Sequence, residues 1–305
     1  MSISVSQPHV STRELAWAYV SLTKPRIMAL LLTTTLAAML IADRQQPLPA
    51  ADFLRVVLAT LLGGALASGG AAALNCYLDR DIDAVMNRTR RRALPTGLLQ
   101  PWQVLVYGLV LSVLAVTLVL AFVNPLAAAL VLAGHVYYVG VYTLWLKRWT
   151  SQNIVIGGAA GAIPPLVGWA AVTGGLALPA LLLFAIIVAW TPAHFWALAL
   201  LNRKDYAAAG VPMLPAVAGE RKTKRRILVY AVLVVVATLA LYLIHAMGVL
   251  YLVVALALGS GLIYMALRLL YDQGHGRARR MFMYSNIYLA LLFLAMVADR
   301  LAVRP

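Results

Sequence analysis

Apolar residues in this chain come in unbroken stretches of about twenty rather than in the alternation of a half-buried strand, and each stretch could cross roughly 30 Å of hydrocarbon as a helix. Nine are visible: Pro25 to Ala42, Val56 to Tyr77, Val104 to Phe122, Leu126 to Trp145, Ile154 to Val172, Leu178 to Leu201, Ile227 to Met247, Val249 to Leu267 and Met283 to Ala298. Only Val123, Asn124 and Pro125 separate the third from the fourth, and only Gly248 separates the seventh from the eighth, so each pair forms an antiparallel hairpin. Pro25 suits the first position of a helix, and the long segment ahead of it argues against a cleaved signal peptide. The pattern predicts an all-α polytopic membrane protein of nine transmembrane helices, with residues 1–24 as a cytoplasmic N-terminal segment and 25–302 as a single domain.

Composition agrees: 63% of the 305 residues are hydrophobic and only 11% charged, too few polar side chains to cover a soluble globule. One cysteine, Cys76, allows neither an intrachain disulfide nor a thiolate metal cluster. The net charge of +15 changes the picture more, because it is unevenly placed. Of the 25 Lys and Arg, 21 fall in the N-terminal segment and in alternate connections, leaving Arg44, Arg55, Arg300 and Arg304 for the other side. That bias puts the N-terminus in the cytoplasm and the C-terminus outside, as an odd number of spans also requires. Basic residues in short loops between spans indicate a membrane surface and anionic ligands, and nucleic acid is excluded as a partner. The segment from Ser2 to Ser21 lacks the Arg-rich character of a transit peptide, which favours a bacterial cytoplasmic membrane.

The long connections all lie on the basic side, so a polar ligand is handled there. One of them follows the second span with Asn75, Asp79, Asp81 and Asp83. On a continuing helix Asn75, Asp79 and Asp83 share a stripe while Asp81 points elsewhere. Oxygen donors without His or thiolate suit Mg²⁺ held jointly with phosphate, and the following Arg88, Arg90, Arg91 and Arg92 offer guanidinium forks for phosphate oxygens. The combination fits a metal-bound phosphate ester with an apolar tail; the simpler alternative is a solvated loop in which the aspartates pair with the arginines.

These residues resemble the first aspartate motif of the UbiA-type intramembrane prenyltransferases. Further segments are similar to the heme O synthase branch of that superfamily: Leu22-Thr23-Lys24-Pro25-Arg26, Asn75 through Leu94-Pro95, Tyr142 through Arg148 to Gly158, Trp190 through His194 to Ala199, and Asp205 through Pro215. The family often has Pro where Ala93 stands, and its second acidic motif usually holds more carboxylates than Asp205 with Asn202 nearby. The resemblance implies a UbiA-type prenyltransferase bundle with farnesyl diphosphate and heme B as substrates, heme being substrate and not cofactor, and Mg²⁺ as the metal. It implies catalytic and metal-holding roles for Asp79, Asp83, Asn75 and Asp205, and diphosphate contacts from Arg88, Arg92, Lys147, Arg148, Lys204 and Tyr206. Tyr77, Tyr137, Tyr138 and Tyr142 are candidates by position to face an allylic cation.

His135 and His194 lie inside spans, where a polar side chain is a functional suspect. For a heme substrate each is a candidate axial ligand, and each has the alternative of a hydrogen-bonded histidine between helices. Two other functions remain open at this point: a prenyltransferase acting on a quinone precursor or chlorophyll-type ring, and a multispan transporter. Transport sites usually sit near the midplane, whereas these acids gather at one face.

Overall fold

The computed structural model describes residues 11–271 and 275–302; Arg304, one of the four basic residues assigned to the outer side, lies outside them. Among the described residues every regular element is helical: α1 (Thr12–Leu22), α2 (Pro25–Asp43), α3 (Ala50–Leu78), α4 (Arg80–Val85), α5 (Pro101–Phe122), α6 (Pro125–Val136), a π-helical stretch (Tyr137–Leu146), α7 (Lys147–Trp149), α8 (Asn153–Thr173), α9 (Leu178–Leu201), α10 (Arg203–Ala208), α11 (Leu214–Val217), α12 (Gly219–Leu243), α13 (Val249–Tyr271) and α14 (His275–Ala302). Nine helical spans among the described residues are long and apolar enough to cross a membrane, with α6, the π-helical stretch and α7 joined as one. The protein is a polytopic membrane protein.

Proline opens α2, α5, α6 and α9 at the first turn, where a missing N–H leaves nothing unsatisfied. The tight third-to-fourth hairpin is pinned by Asn124. Its carbonyl oxygen accepts from the Ala127 N–H at 2.8 Å, and its amide donates to the Ala170 carbonyl near the end of α8 at 2.8 Å. Asp299 plays the matching part for α13: buried near the end of α14, it accepts the backbone N–H groups of Gly248 at 2.6 Å and Tyr251 at 3.1 Å, a carboxylate placed on a helix N-terminus.

α8 is the most buried span and packs against α2, α6, the π-helical stretch and α9. Small residues let it sit there. A Cβ on Gly168 would lie 2.3 Å from the Thr35 carbonyl oxygen of α2, and one on Gly157 would lie 2.2 Å from the Tyr142 ring. Gly168→Ala therefore forces two backbones apart, and its detergent-solubilised melting temperature is expected to fall by the equivalent of about 1–3 kcal/mol. An unchanged melting curve would contradict this close approach.

α1 lies ahead of the spans and was not apparent from hydropathy. Ser11 and Glu14 form a capping box at its start, Ala18 and Leu22 pack with Cys76 and Leu99, and Tyr19 meets Tyr107 edge-on at 5.0 Å. This packing delivers Lys24, in a left-handed backbone conformation with φ of 51°, to the end of α3.

Candidate active site

The end of α3, α4, the loop to residue 92, the end of the π-helical stretch and α10 meet at the basic end of the bundle. Helical hydrogen bonding runs through the join of α3 and α4, with Asp79 N–H to the Asn75 carbonyl at 2.9 Å and Asp83 N–H to the Asp79 carbonyl at 2.7 Å. The stripe expected from spacing is therefore realised: Asn75, Asp79 and Asp83 are all buried, whereas the Asp81 side chain is 60% exposed.

Asp79 is the centre of the arrangement. Its Oδ2 accepts from the Asn75 amide at 2.7 Å and pairs with the Lys147 ammonium. Its Oδ1 is buried without a hydrogen-bond partner, with Arg148 Nη2 4.0 Å away. An ionised oxygen left open in this way is costly unless a further cation completes it. Asp83 pairs with Arg92 at 2.6 Å, and its backbone carbonyl accepts from the buried Thr89 hydroxyl at 3.0 Å.

Sequence reading missed what orients Asn75. Lys24 Nζ donates to Asn75 Oδ1 at 2.7 Å, so the amide nitrogen must face the other way, toward Asp79 Oδ2 and Thr143 Oγ1 at 3.2 Å. Thr143 donates its own proton to the Tyr138 carbonyl at 2.9 Å within the π-helical stretch and so accepts from Asn75. In this arrangement Asn75 holds Asp79 in place, and its oxygen is engaged by Lys24. Burial lowers the Lys24 ammonium pKa, while Asp79 and Asp83 among its neighbours oppose that. The visible clue was a lysine at the mouth of a span, directly before Pro25.

Arg148 closes the outer side, donating to both oxygens of Asp81 at 2.7 and 2.8 Å and to the Leu78 carbonyl at 2.8 Å. This fork holds the Asp81 carboxyl down at about 2. A carboxylate lowered on folding favours the folded state above its ordinary range and loses that contribution only as pH falls through its lowered value. The Asp81–Arg148 pair is thus expected to persist between about pH 4 and 8, as carboxyl NMR would report; an Asp81 titration near pH 4 would contradict it.

The second half-site is joined to the first. Asn87 donates to Asp205 Oδ1 at 3.0 Å, linking the loop after α4 to α10. Tyr206 is buried, its hydroxyl pKa raised by burial with Arg88 beside it opposing the rise. Tyr142 lies within electrostatic reach of Asp79, Arg88 and Tyr206, and stacks on Tyr138 with ring centroids 5.6 Å apart. Lys204 is exposed on α10. Of the other tyrosines, Tyr77 lies under the Arg80 guanidinium at 4.7 Å, and Tyr137 donates to the Ile156 carbonyl at 2.9 Å.

The two intramembrane histidines occupy different seams. His135 Nε2 lies 3.2 Å from Ser112 Oγ, which gives its proton to the Gly108 carbonyl at 2.6 Å. Its Nδ1 is buried in the same seam without a well-formed hydrogen bond, with the Ala67 backbone close by. His194 sits between α9 and α14, stacked on Trp190 and Phe282.

The donors at Asp79, Asp83 and Asp205 are hard oxygens, and the open Asp79 Oδ1 fits a divalent ion of the Mg²⁺ type. Among the described residues no three acidic, His or Cys side chains enclose an ion alone, which suits an ion shared with phosphate oxygens. Buried carboxylates and cations gathered at the end of an apolar bundle make a site suited to a diphosphate ester with an apolar tail.

Residues 31–294 match the UbiA prenyltransferase family, and the chain belongs to it. Its similarity extends to particular members. It is 53% identical over 282 residues to the protoheme IX farnesyltransferase of Gloeobacter violaceus, covering 92% of this chain and 91% of that protein. It is 50% identical over 304 residues to the enzyme of the same name from Synechocystis sp., covering 99% and 95%. Among solved structures, a digeranylgeranylglyceryl phosphate synthase shares the fold with a TM-score of 0.77 at 18% identity, covering 95% of this chain and 100% of that one. A UbiA homolog from Archaeoglobus fulgidus bound to GPP and Mg²⁺ does so with a TM-score of 0.64 at 15% identity, covering 92% and 99%.

Proposed function

We propose that the protein transfers the farnesyl group of farnesyl diphosphate to a vinyl group of heme B, with addition of water, giving heme O and pyrophosphate. The work is placed at the cytoplasmic face of a bacterial inner membrane, with the N-terminus cytoplasmic and the C-terminus periplasmic. The observation that carries the reading is the buried Asp79, with one oxygen open and the other held by Lys147 and the Asn75 amide, in a chain about half identical to protoheme IX farnesyltransferases over most of their length.

Ionisation breaks the bond between farnesyl C1 and the diphosphate oxygen, and the electron pair leaves with pyrophosphate. Lys147, Arg92, Arg148 and Arg88 stabilise the charge that develops there, with the buried Tyr206 beside Arg88 and the exposed Lys204 at the rim. Mg²⁺, when bound, would be held by Asp79, Asp83 and Asp205 with phosphate oxygens and would neutralise the same charge; Asn75 keeps Asp79 oriented. Tyr138 and Tyr142 present aromatic faces to the allylic cation. The vinyl π pair then bonds to C1, and water adds to the resulting cation beside the porphyrin and loses a proton. His194 is about 10 Å deeper than the end of α9, at 1.5 Å per residue, and is assigned as the iron ligand. His135 is assigned to helix packing, because Nε2 meets Ser112 and Nδ1 is closed in the seam.

The acceptor is tested by supplying purified protein with Mg²⁺, farnesyl diphosphate and either heme B or a hydroxylated aromatic quinone precursor. Pyrophosphate release is expected with heme B. Release with only the aromatic acceptor would reassign the substrate, and release with neither would return attention to transport.

A further inference from the structure

His194 is the polar centre of the seam between α9 and α14. Its ring lies between Trp190, at 4.2 Å with 15° between planes, and Phe282, at 4.6 Å with 29°, so the plane of the imidazole is fixed. Its Nδ1 is 2.8 Å from Ser285 Oγ. That hydroxyl is also 2.8 Å from the Phe282 carbonyl oxygen. A carbonyl has no proton to give, so the single hydroxyl proton lies in that bond and Ser285 turns a lone pair toward the imidazole. The proton between the two side chains then belongs to Nδ1. Trp190 braces the arrangement from the other side, its indole N–H donating to the Ser285 carbonyl at 2.8 Å.

We propose that Ser285 is a positioning residue for heme: by accepting the Nδ1 proton it selects the His194 tautomer whose Nε2 carries the lone pair, and so presents a ready ligand to iron. This rests on the assignment of His194 as that ligand. A hydrogen bond at the far nitrogen both orients a ligating imidazole and makes it a stronger donor. At His135 the serine meets Nε2 instead, and the other ring nitrogen is enclosed. The two His–Ser pairs thus engage opposite nitrogens, and of the two rings that of His194 is the one clamped by aromatic planes.

The test is titration of the purified protein with heme B in the absence of farnesyl diphosphate, following the Soret band. Ser285→Ala is expected to weaken heme binding by about 10–100-fold, the usual cost of losing such a partner, and to shift the band. Its affinity for farnesyl diphosphate should not change. Ser285→Thr, which keeps the hydroxyl, is expected to restore most of the heme affinity. Wild-type affinity and spectrum in Ser285→Ala would overturn the proposal, as would equal loss of heme and farnesyl diphosphate binding that Ser285→Thr fails to recover. His194→Ala tests the underlying assignment separately: if it binds heme like the wild type, the iron-ligand reading falls whatever Ser285→Ala does.

Discussion

Asp83→Asn is expected to lower kcat by on the order of 10³-fold or more while leaving the protein folded. Asn is nearly the same size and still accepts a hydrogen bond from Arg92, which now sits 2.6 Å from Asp83. What disappears is one negative charge in the buried site proposed to hold a cation against diphosphate. Circular dichroism should match the wild type and detergent melting should fall only modestly, because Arg92, left without its carboxylate, is 29% exposed to solvent, whereas the release of pyrophosphate should fail. Activity retained within a few-fold would refute a metal-holding role for Asp83.

Lys147→Met is the second large effect, and it separates stability from chemistry. Asp79 is 1% exposed, and Lys147 is its ion-pair partner. Removing one member of a buried pair strands the other, at a cost of about 3–5 kcal/mol. The variant should therefore melt well below the wild type and also bind farnesyl diphosphate weakly, having lost a cation beside the leaving group. Combining it with Asp79→Asn removes the stranded charge, so the double variant should recover most of the lost stability and none of the activity. Additive destabilisation in the double variant would show that the two side chains are not coupled.

The spans were legible because lipid demands a long apolar run wherever a helix crosses it. Their ends were less so. α3 begins at Ala50 and not Val56, and α14 begins at His275 and not Met283, because Arg and Ala continue a helix well after hydropathy has fallen. The π-helical stretch had no compositional mark, since an apolar run reads the same whichever carbonyl each N–H reaches. Asn75, Asp79 and Asp83 were legible through their spacing. Lys24, Thr143, Asn87 and Ser285 were not, because each matters through a partner far away in the chain. A threonine inside an apolar run, or a serine in the last span, looks like ordinary helix packing until the facing side chain is known.

The most direct test of the central claim is the mass of the heme product formed by purified protein with farnesyl diphosphate, Mg²⁺ and heme B in ¹⁸O-labelled water. The account predicts heme B enlarged by one farnesyl group and one hydroxyl whose oxygen is ¹⁸O, with one pyrophosphate released per product. Heme recovered unchanged, or a farnesylated heme whose added oxygen is unlabelled, would contradict it.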